Sequence, residues 1–98
     1  MLNMQKIRHK GGLELNIFSE ILEHFKGQTV STHIFHKIYG NQKSTIHNFC
    51  PLCSENKVGF IVNEHEVFMY FDEIENYDFD GNRLELKGML RNFIIEII

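Results

Sequence analysis

Apolar residues recur at helical spacing early in the chain and at shorter intervals after it. The apolar positions of the early segment are Ile17, Phe18, Ile21, Leu22 and Phe25. They fall on one stripe of a helix, which predicts an amphipathic helix that packs on a core. Asn16 is a candidate N-cap, and Gly27 suits the position just past the end of the helix.

The rest of the chain alternates β-rich segments with turn residues. The predicted strands are Thr29 to Tyr39, Ser44 to Cys50, Lys57 to Asn63, Glu66 to Phe71, Ile74 to Phe79 and Arg83 to Lys87. Gly40 to Lys43 and Asp80 to Asn82 read as turns. The last ten residues fit either a helix or a strand, and their run of Ile favours a strand. We therefore predict an α+β fold in which one amphipathic helix packs on a curled, mostly antiparallel sheet.

The length and composition of the chain are typical of a small globular protein. The chain has 98 residues, of which 43% are hydrophobic and 23% charged, so a single globular domain over residues 1–98 is expected. No apolar run has the length of a signal peptide or of a membrane span. These features predict a cytoplasmic protein, whose thiols stay reduced.

The strongest chemical motif is Cys50-Pro51-Leu52-Cys53. Zinc prefers thiolate and imidazole ligands in a tetrahedral shell, and two cysteines separated by two residues can turn both sulfurs toward one ion. These four positions resemble the knuckle of zinc-ribbon proteins. A ribbon has a second cysteine pair, which this chain lacks, so the other ligands would be His, a carboxylate or groups from a second chain. The motif predicts a structural Zn²⁺ that staples the fold.

The spacing of the histidines suggests the missing ligands. A four-residue loop over Gly40 to Lys43 would place His33 opposite Cys50 and His36 opposite His47. His33 is then the third ligand, and His36 and His47 compete for the fourth place beside Cys50 and Cys53. A two-residue turn at residues 40–41 would break this alignment.

Two other interpretations of the cysteines stay open. They could be half-buried thiols with no relation to the histidines. They could also form a redox dithiol, although that chemistry usually places the first cysteine at a helix N-terminus, and the residues after Cys53 lead into a predicted strand.

The second half of the chain is acidic. Residues 54–98 hold ten acidic and four basic residues, whereas residues 1–53 hold three acidic and six basic ones. A dense group of acids consists of Asp72, Glu73, Glu75, Asp78 and Asp80. This group is a polar strand face with a turn, or a negatively charged ledge that binds a basic partner. Aromatic residues interleave with it, as in protein interfaces: Phe68, Tyr70, Tyr77 and Phe79.

The sequence bears on three classes of function: an enzyme, a protein-binding module and a nucleic-acid-binding module. The chain has no nucleophile elbow, phosphate-binding loop or convincing pair of catalytic carboxylates, so an enzyme is not expected. A protein-binding module or inhibitor fits best. A zinc-knuckle module that binds nucleic acid or regulates transcription is the alternative, with phosphate contacts from Lys6, Arg8, Lys10, Lys26, Lys37 and Lys43.

With the knuckle at residues 50–53 and the acids from Asp72 to Asp80, the chain resembles small phage-encoded inhibitors of the anti-CRISPR kind, some of which carry a zinc ion. The resemblance implies an inhibitor in the cytoplasm of the host cell. It also implies binding to a basic surface of a larger nucleic-acid-processing effector of the Cas9 type.

Overall fold

The structure, a computed structural model, describes residues 5–6 and 12–98, with side chains from residue 17 onward. Its helix is α1 (Gly12–Phe25). The strands are β1 (Gln5–Lys6), β2 (Val30–His36), β3 (Gly40–Ile46), β4 (Cys50–Cys53), β5 (Lys57–Val62), β6 (His65–Tyr70), β7 (Ile74–Phe79), β8 (Arg83–Gly88) and β9 (Arg91–Ile97). A 3₁₀ turn, Phe71–Glu73, links β6 to β7.

The α+β class is confirmed, but the prediction of a single curled sheet is wrong. The strands form two separate antiparallel sheets. The large sheet has the order β7-β8-β9-β2-β3 and is extended beyond β7 by the two-residue β1, and the small sheet has the order β4-β5-β6. The chain leaves the large sheet after Ile46, where Asn48 takes a left-handed conformation with φ 59°. It returns to the large sheet at Ile74.

The helix buries the predicted stripe. Phe18, Ile21, Leu22 and Phe25 are fully buried, and Ile17 packs against the same core. The predicted end is confirmed, because Gly27 has φ +78°, a conformation that favours glycine just past a helix. The predicted start is wrong. The helix begins at Gly12, so residue 16 lies inside it and is not the N-cap.

The core fills the space between the helix and the two sheets. Phe18 of α1 meets Tyr77 of β7 edge to face, with ring centroids 5.4 Å apart. Phe60 of β5 lies 5.7 Å from the ring of Phe49 and 5.9 Å from that of Phe93 in β9. Phe60 therefore joins the small sheet to the large one, and both α1 and the small sheet pack on the same face of the large sheet.

The predicted register of the first hairpin is wrong. Its turn lies at residues 37–39, and Gly40 already pairs with His36 as the first residue of β3. The side chain of His36 explains the difference, because its Nδ1 accepts hydrogen bonds from the backbone N–H groups of Ile38 at 3.1 Å and Tyr39 at 3.3 Å. A local side-chain acceptor of this kind stabilises a tight turn. The turn therefore lies three residues before the one predicted from Gly40.

The predicted strand from Ser44 to Cys50 is wrong, because β3 ends at Ile46 and residues 50–53 form β4. Strands β5 to β8 agree with the prediction to within one residue, and the C-terminal segment is a strand rather than a helix. The β7–β8 turn is also where it was predicted. The Asp80 carboxylate accepts hydrogen bonds from the backbone N–H groups of Asn82 and Arg83, both at 2.9 Å, and Gly81 has φ +97°. In the described part of the chain, no helix is long and apolar enough to cross a membrane.

Candidate functional site

The predicted zinc ligands are distributed over both sheets. Cys50 and Cys53 are the two ends of β4 in the small sheet, whereas His33 and His36 belong to β2 in the large sheet. The predicted pairing of His33 with Cys50 is wrong: His33 lies opposite Lys43. Among the side chains from residue 17 onward, no group of three or more His, Cys, Asp or Glu lies close enough together to hold a metal ion.

The geometry of β4 does not fit a zinc knuckle. Cys50 pairs with Ile61 and Cys53 with Val58, in a continuous register. Residues three apart in a strand point to opposite faces, and their Cα atoms are about 10 Å apart at the usual rise. Cys53 accordingly packs against the core while Cys50 is exposed. A single zinc ion bound by both sulfurs would require residues 50–53 to leave β4.

The second cysteine is half-buried beside a cleft. Burial raises the pKa of the Cys53 thiol, so the neutral form is favoured over the thiolate that binds zinc or attacks a disulfide. A cleft of about 270 Å³ between α1 and β4 borders both cysteines. Its charged residues, Glu23 and Lys26, form an exposed ion pair at 3.7 Å. Zinc binding by the two cysteines stays a prediction from the sequence.

Each candidate histidine has a local partner. The ring of His33 stacks on Phe35 with centroids 3.9 Å apart and an angle of 32°. His36 caps the first hairpin turn as described above. His47 follows β3, and its Nδ1 lies 3.4 Å from the hydroxyl of Thr29. These contacts account for His36 and His47 as parts of the β2–β3 region, whereas the buried Nε2 of His33 has no hydrogen-bond partner among the described residues.

The five predicted acids differ in their surroundings. Glu73 is paired with Arg91, whose Nη2 donates to Oε1 of Glu73 at 2.7 Å. Asp80 caps the β7–β8 turn. Hydrogen bonds from that turn hold the pKa of its carboxyl below the usual value. Asp72 and Glu75 are exposed near the start of β7, and Asp78 is half-buried on the strand itself.

Asp78 belongs to an acidic pair that the sequence analysis missed. It lies directly opposite Glu85 of β8, on the face of the large sheet turned away from α1. Leu84 and Leu86, on either side of Glu85, are fully buried on the other face. The alternation of Leu and Glu in β8 was the signal that could have identified the residue. We call Asp78 and Glu85 the acidic pair.

We call the face that carries the acidic pair the open face, because among the described residues neither α1 nor the small sheet covers it; the side chain of Glu85 on this face is 17% exposed. The described side chains of the open face are all half-buried or exposed, since α1 and the small sheet cover the opposite face. Register places Glu85 opposite Ile94, and Ile94 opposite His33. Arg83 forms an ion pair with one member, with its Nη1 3.6 Å from Oε1 of Glu85, and Lys87 lies on the same face two residues further along β8. Lys43 makes the β3 edge of the open face basic, whereas the part formed by β7 and β8 mixes Asp78 and Glu85 with Arg83 and Lys87.

The predicted interface aromatics divide into two groups. Tyr77 and Phe79 are buried in the core, and burial raises the pKa of Tyr77. Phe68 and Tyr70 instead lie on the outer face of the small sheet, with ring centroids 5.2 Å apart. The ammonium group of Lys57 lies 4.4 Å from the centre of the Phe68 ring. Only this second group is accessible to a partner.

The basic residues of the nucleic-acid alternative are placed only in part. Lys26 lies just after α1, Lys37 lies in the first hairpin turn, and Lys43 lies on β3; all three are exposed. Lys6 is in β1, but its side chain lies outside the described part. Residues 8 and 10, the remaining two, lie outside it altogether.

Comparison of the chain with protein-family models, with curated proteins and with solved structures gives no match.

Proposed function

We propose that this protein is a protein-binding module that inhibits a larger nucleic-acid-processing effector, and that it binds a basic surface of that partner through the acidic pair on the open sheet face. The observation that carries the proposal is the position of Asp78 directly opposite Glu85. Like charges at directly opposed positions destabilise a sheet. A partner's lysine or arginine between the two carboxylates would turn that repulsion into attraction.

The surroundings of the acidic pair support a basic partner. Asp80 follows β7, and Glu96 lies on β9 opposite Arg83. These two acids and the acidic pair place four carboxylates near two described cations, Arg83 and Lys87, so the charge of this region is negative. Complementary charge of this kind speeds association and selects the partner, with an effect that weakens as salt rises. The resemblance to anti-CRISPR inhibitors makes a Cas9-type effector the first partner to test.

The experiment compares two doubly neutralised variants with equal change in net charge. One carries Asp78→Asn and Glu85→Gln, and the other carries Asp72→Asn and Glu75→Gln, which removes two exposed acids outside the pair. Binding to a Cas9-type effector with its guide is measured at low and at moderate salt. We expect the first variant to lose binding at least about tenfold and the second to lose much less. Equal losses, or binding that ignores salt, would contradict the role of the pair.

A nucleic-acid-binding function is the second candidate. It is favoured by Lys43, which lies beside the stacked rings of His33 and Phe35 on the basic edge of the same open face. Aromatic rings and lysines together bind single-stranded nucleic acid. Binding of an oligonucleotide that falls steeply with salt, and that Lys43→Gln weakens, would support this function.

A further inference from the structure

We propose that the open edge of β6 pairs with an extended segment of the basic partner, in which lysine or arginine alternates with aliphatic residues. The proposal rests on the proposed function for the basic character of the partner. Addition of a strand to a sheet edge is a general mode of peptide recognition, in which backbone hydrogen bonds give affinity and alternate side chains give specificity.

β6 is the least protected sheet edge in the described part of the chain. Proteins guard such edges with proline, lysine or short strands. β4 contains Pro51, β3 carries Lys43, and β1 has two residues. His65–Tyr70 contains neither proline nor a basic residue other than its histidine. Among the described residues, β6 makes its strand pairing with β5 only.

A cleft beside β6 could receive one set of side chains from an added strand. Its volume is about 440 Å³, and it lies between β6 and the inner face of the β2–β3 hairpin. Val67 is the residue of the small sheet that borders it, and Ile34 and Phe93 form its apolar wall on the large sheet. A partner residue opposite Val67 would point to this side, so an aliphatic side chain fits there.

The outer face of the small sheet could receive the other set. Phe68 and Tyr70 point to this side of β6, and Tyr70 is 47% exposed. Lys57 already lies over the Phe68 ring and contacts Oε1 of Glu66 at 3.4 Å. That arrangement shows how an ammonium group sits among these residues, because a cation is attracted to both the ring and the carboxylate.

Charge at this edge selects the same chemistry. Glu64 and Glu66 flank His65 at the start of β6, and both are exposed. Two described cations lie beside β6: Lys57 pairs with Tyr70 across the strands, and Arg91 lines the cleft that Val67 borders. Each is engaged with a carboxylate, Glu66 and Glu73 respectively. A basic segment therefore meets net negative charge along β6, whereas an acidic segment would be repelled.

The test uses a fluorescent octapeptide of alternating Lys and Val, titrated against the full chain at low salt. Two control peptides keep the same side chains but carry N-methyl groups on the amides of either the four Val or the four Lys residues. We expect saturable binding of the parent peptide and a loss of at least about tenfold for one of the methylated peptides, since a methylated amide cannot pair with the edge. Equal binding of all three peptides, or no saturable binding of the parent, would overturn the proposal.

Two variants of β3 locate the binding site. Gln42→Arg adds bulk and positive charge inside the cleft, and Thr45→Arg makes the same change on the opposite face of the strand. We expect Gln42→Arg to weaken peptide binding at least about fivefold and Thr45→Arg to leave it within about twofold. Hydrogen exchange must show new protection at β6. Protection at β3 instead would overturn the proposal. Self-association of the chain in sedimentation, with protection of β6 in the absence of peptide, would also overturn it.

The acidic-pair variant separates this proposal from the proposed function. Asp78 and Glu85 lie on the large sheet, away from β6, so the chain with both neutralised should bind the octapeptide as tightly as the wild type. Loss of peptide binding in this variant would mean that the peptide binds at the acidic pair, and this result would contradict the β6 site. If this variant binds the peptide normally but does not bind the effector, the β6 site is supported independently of the result for the effector.

Discussion

Asp78 of β7 and Glu85 of β8 face each other across a pair of antiparallel strands, on the side of the sheet that neither the helix nor the small sheet covers. The other face of the same two strands is fully buried through Tyr77, Leu84 and Leu86. The buried face therefore fixes the register of the two strands, and this register holds the two acids opposite each other. Opposed like charges are expected to cost stability, which is the basis for proposing this face as a binding surface.

Neutralising one member of the acidic pair should stabilise the fold. Asp78→Asn keeps the shape of the side chain and removes the repulsion, so we expect the free energy of unfolding to rise by about 0.2–1 kcal/mol. Urea denaturation at neutral pH measures the change. Asp72→Asn is the control, because Asp72 is exposed outside the strand pair and should shift stability less. A decrease for Asp78→Asn would contradict the inferred repulsion.

The turn that follows β7 should respond to pH. Two backbone N–H groups donate to the Asp80 carboxylate, and these bonds lower its pKa in the folded state. A group with a lowered folded pKa stabilises the protein above its unfolded pKa, about 3.9 for aspartate, and that contribution is lost as pH falls through the folded value.

We therefore expect Asp80→Ala to lower Tm by a constant amount above about pH 5, and the difference from the wild type to shrink below about pH 4. Thermal unfolding between about pH 2 and pH 7 checks this. Asp80→Asn, which keeps an acceptor oxygen but does not titrate at that position, is the matched variant. A difference between wild type and Asp80→Ala that stays constant down to the lowest pH would argue against the titration of this cap.

The sequence predicted the local elements better than their assembly. The stripe of α1 and the turn at Asp80 are set by neighbouring residues, through helical spacing and through a side chain that bonds its own backbone. The division into two sheets depends on Phe60, which reaches across to Phe93. That contact joins residues far apart in the chain, and no local pattern indicates it.

The candidate site shows the same limit. The prediction placed His33 opposite Cys50 because Gly40 was assigned to a turn, and the capping contacts of His36 moved the turn by three residues. Such a shift changes every cross-strand partner. The predicted ledge was based on the closeness of its acids along the chain. Glu85 was missed because the pairing of β7 with β8 was not used to match residues across the strands.

The link between the two sheets should be a major source of stability. Phe60 is 1% exposed and contacts aromatic rings from both sides of the core. Phe60→Ala would leave a cavity between the sheets, and we expect a loss of about 3–5 kcal/mol. Phe68→Ala is the control, since its ring lies on the outer face of the small sheet. Chemical denaturation of both variants checks the order, and an equal loss would contradict the central position of Phe60.

Metal analysis decides the prediction that concerns the cysteines. The motif predicts about one zinc ion per chain that disappears in Cys50→Ser and Cys53→Ser. Because β4 directs the two side chains to opposite faces, a zinc ion bound by both must also disrupt the pairing of β4 with β5, and hydrogen exchange at these strands would rise when zinc is added. His33→Ala should leave the zinc content unchanged, since His33 lies opposite Lys43 in the other sheet. Two outcomes would show that the cysteines do not bind zinc. Wild-type protein purified with the metal present would contain no zinc, or the zinc would be retained after both cysteines are replaced.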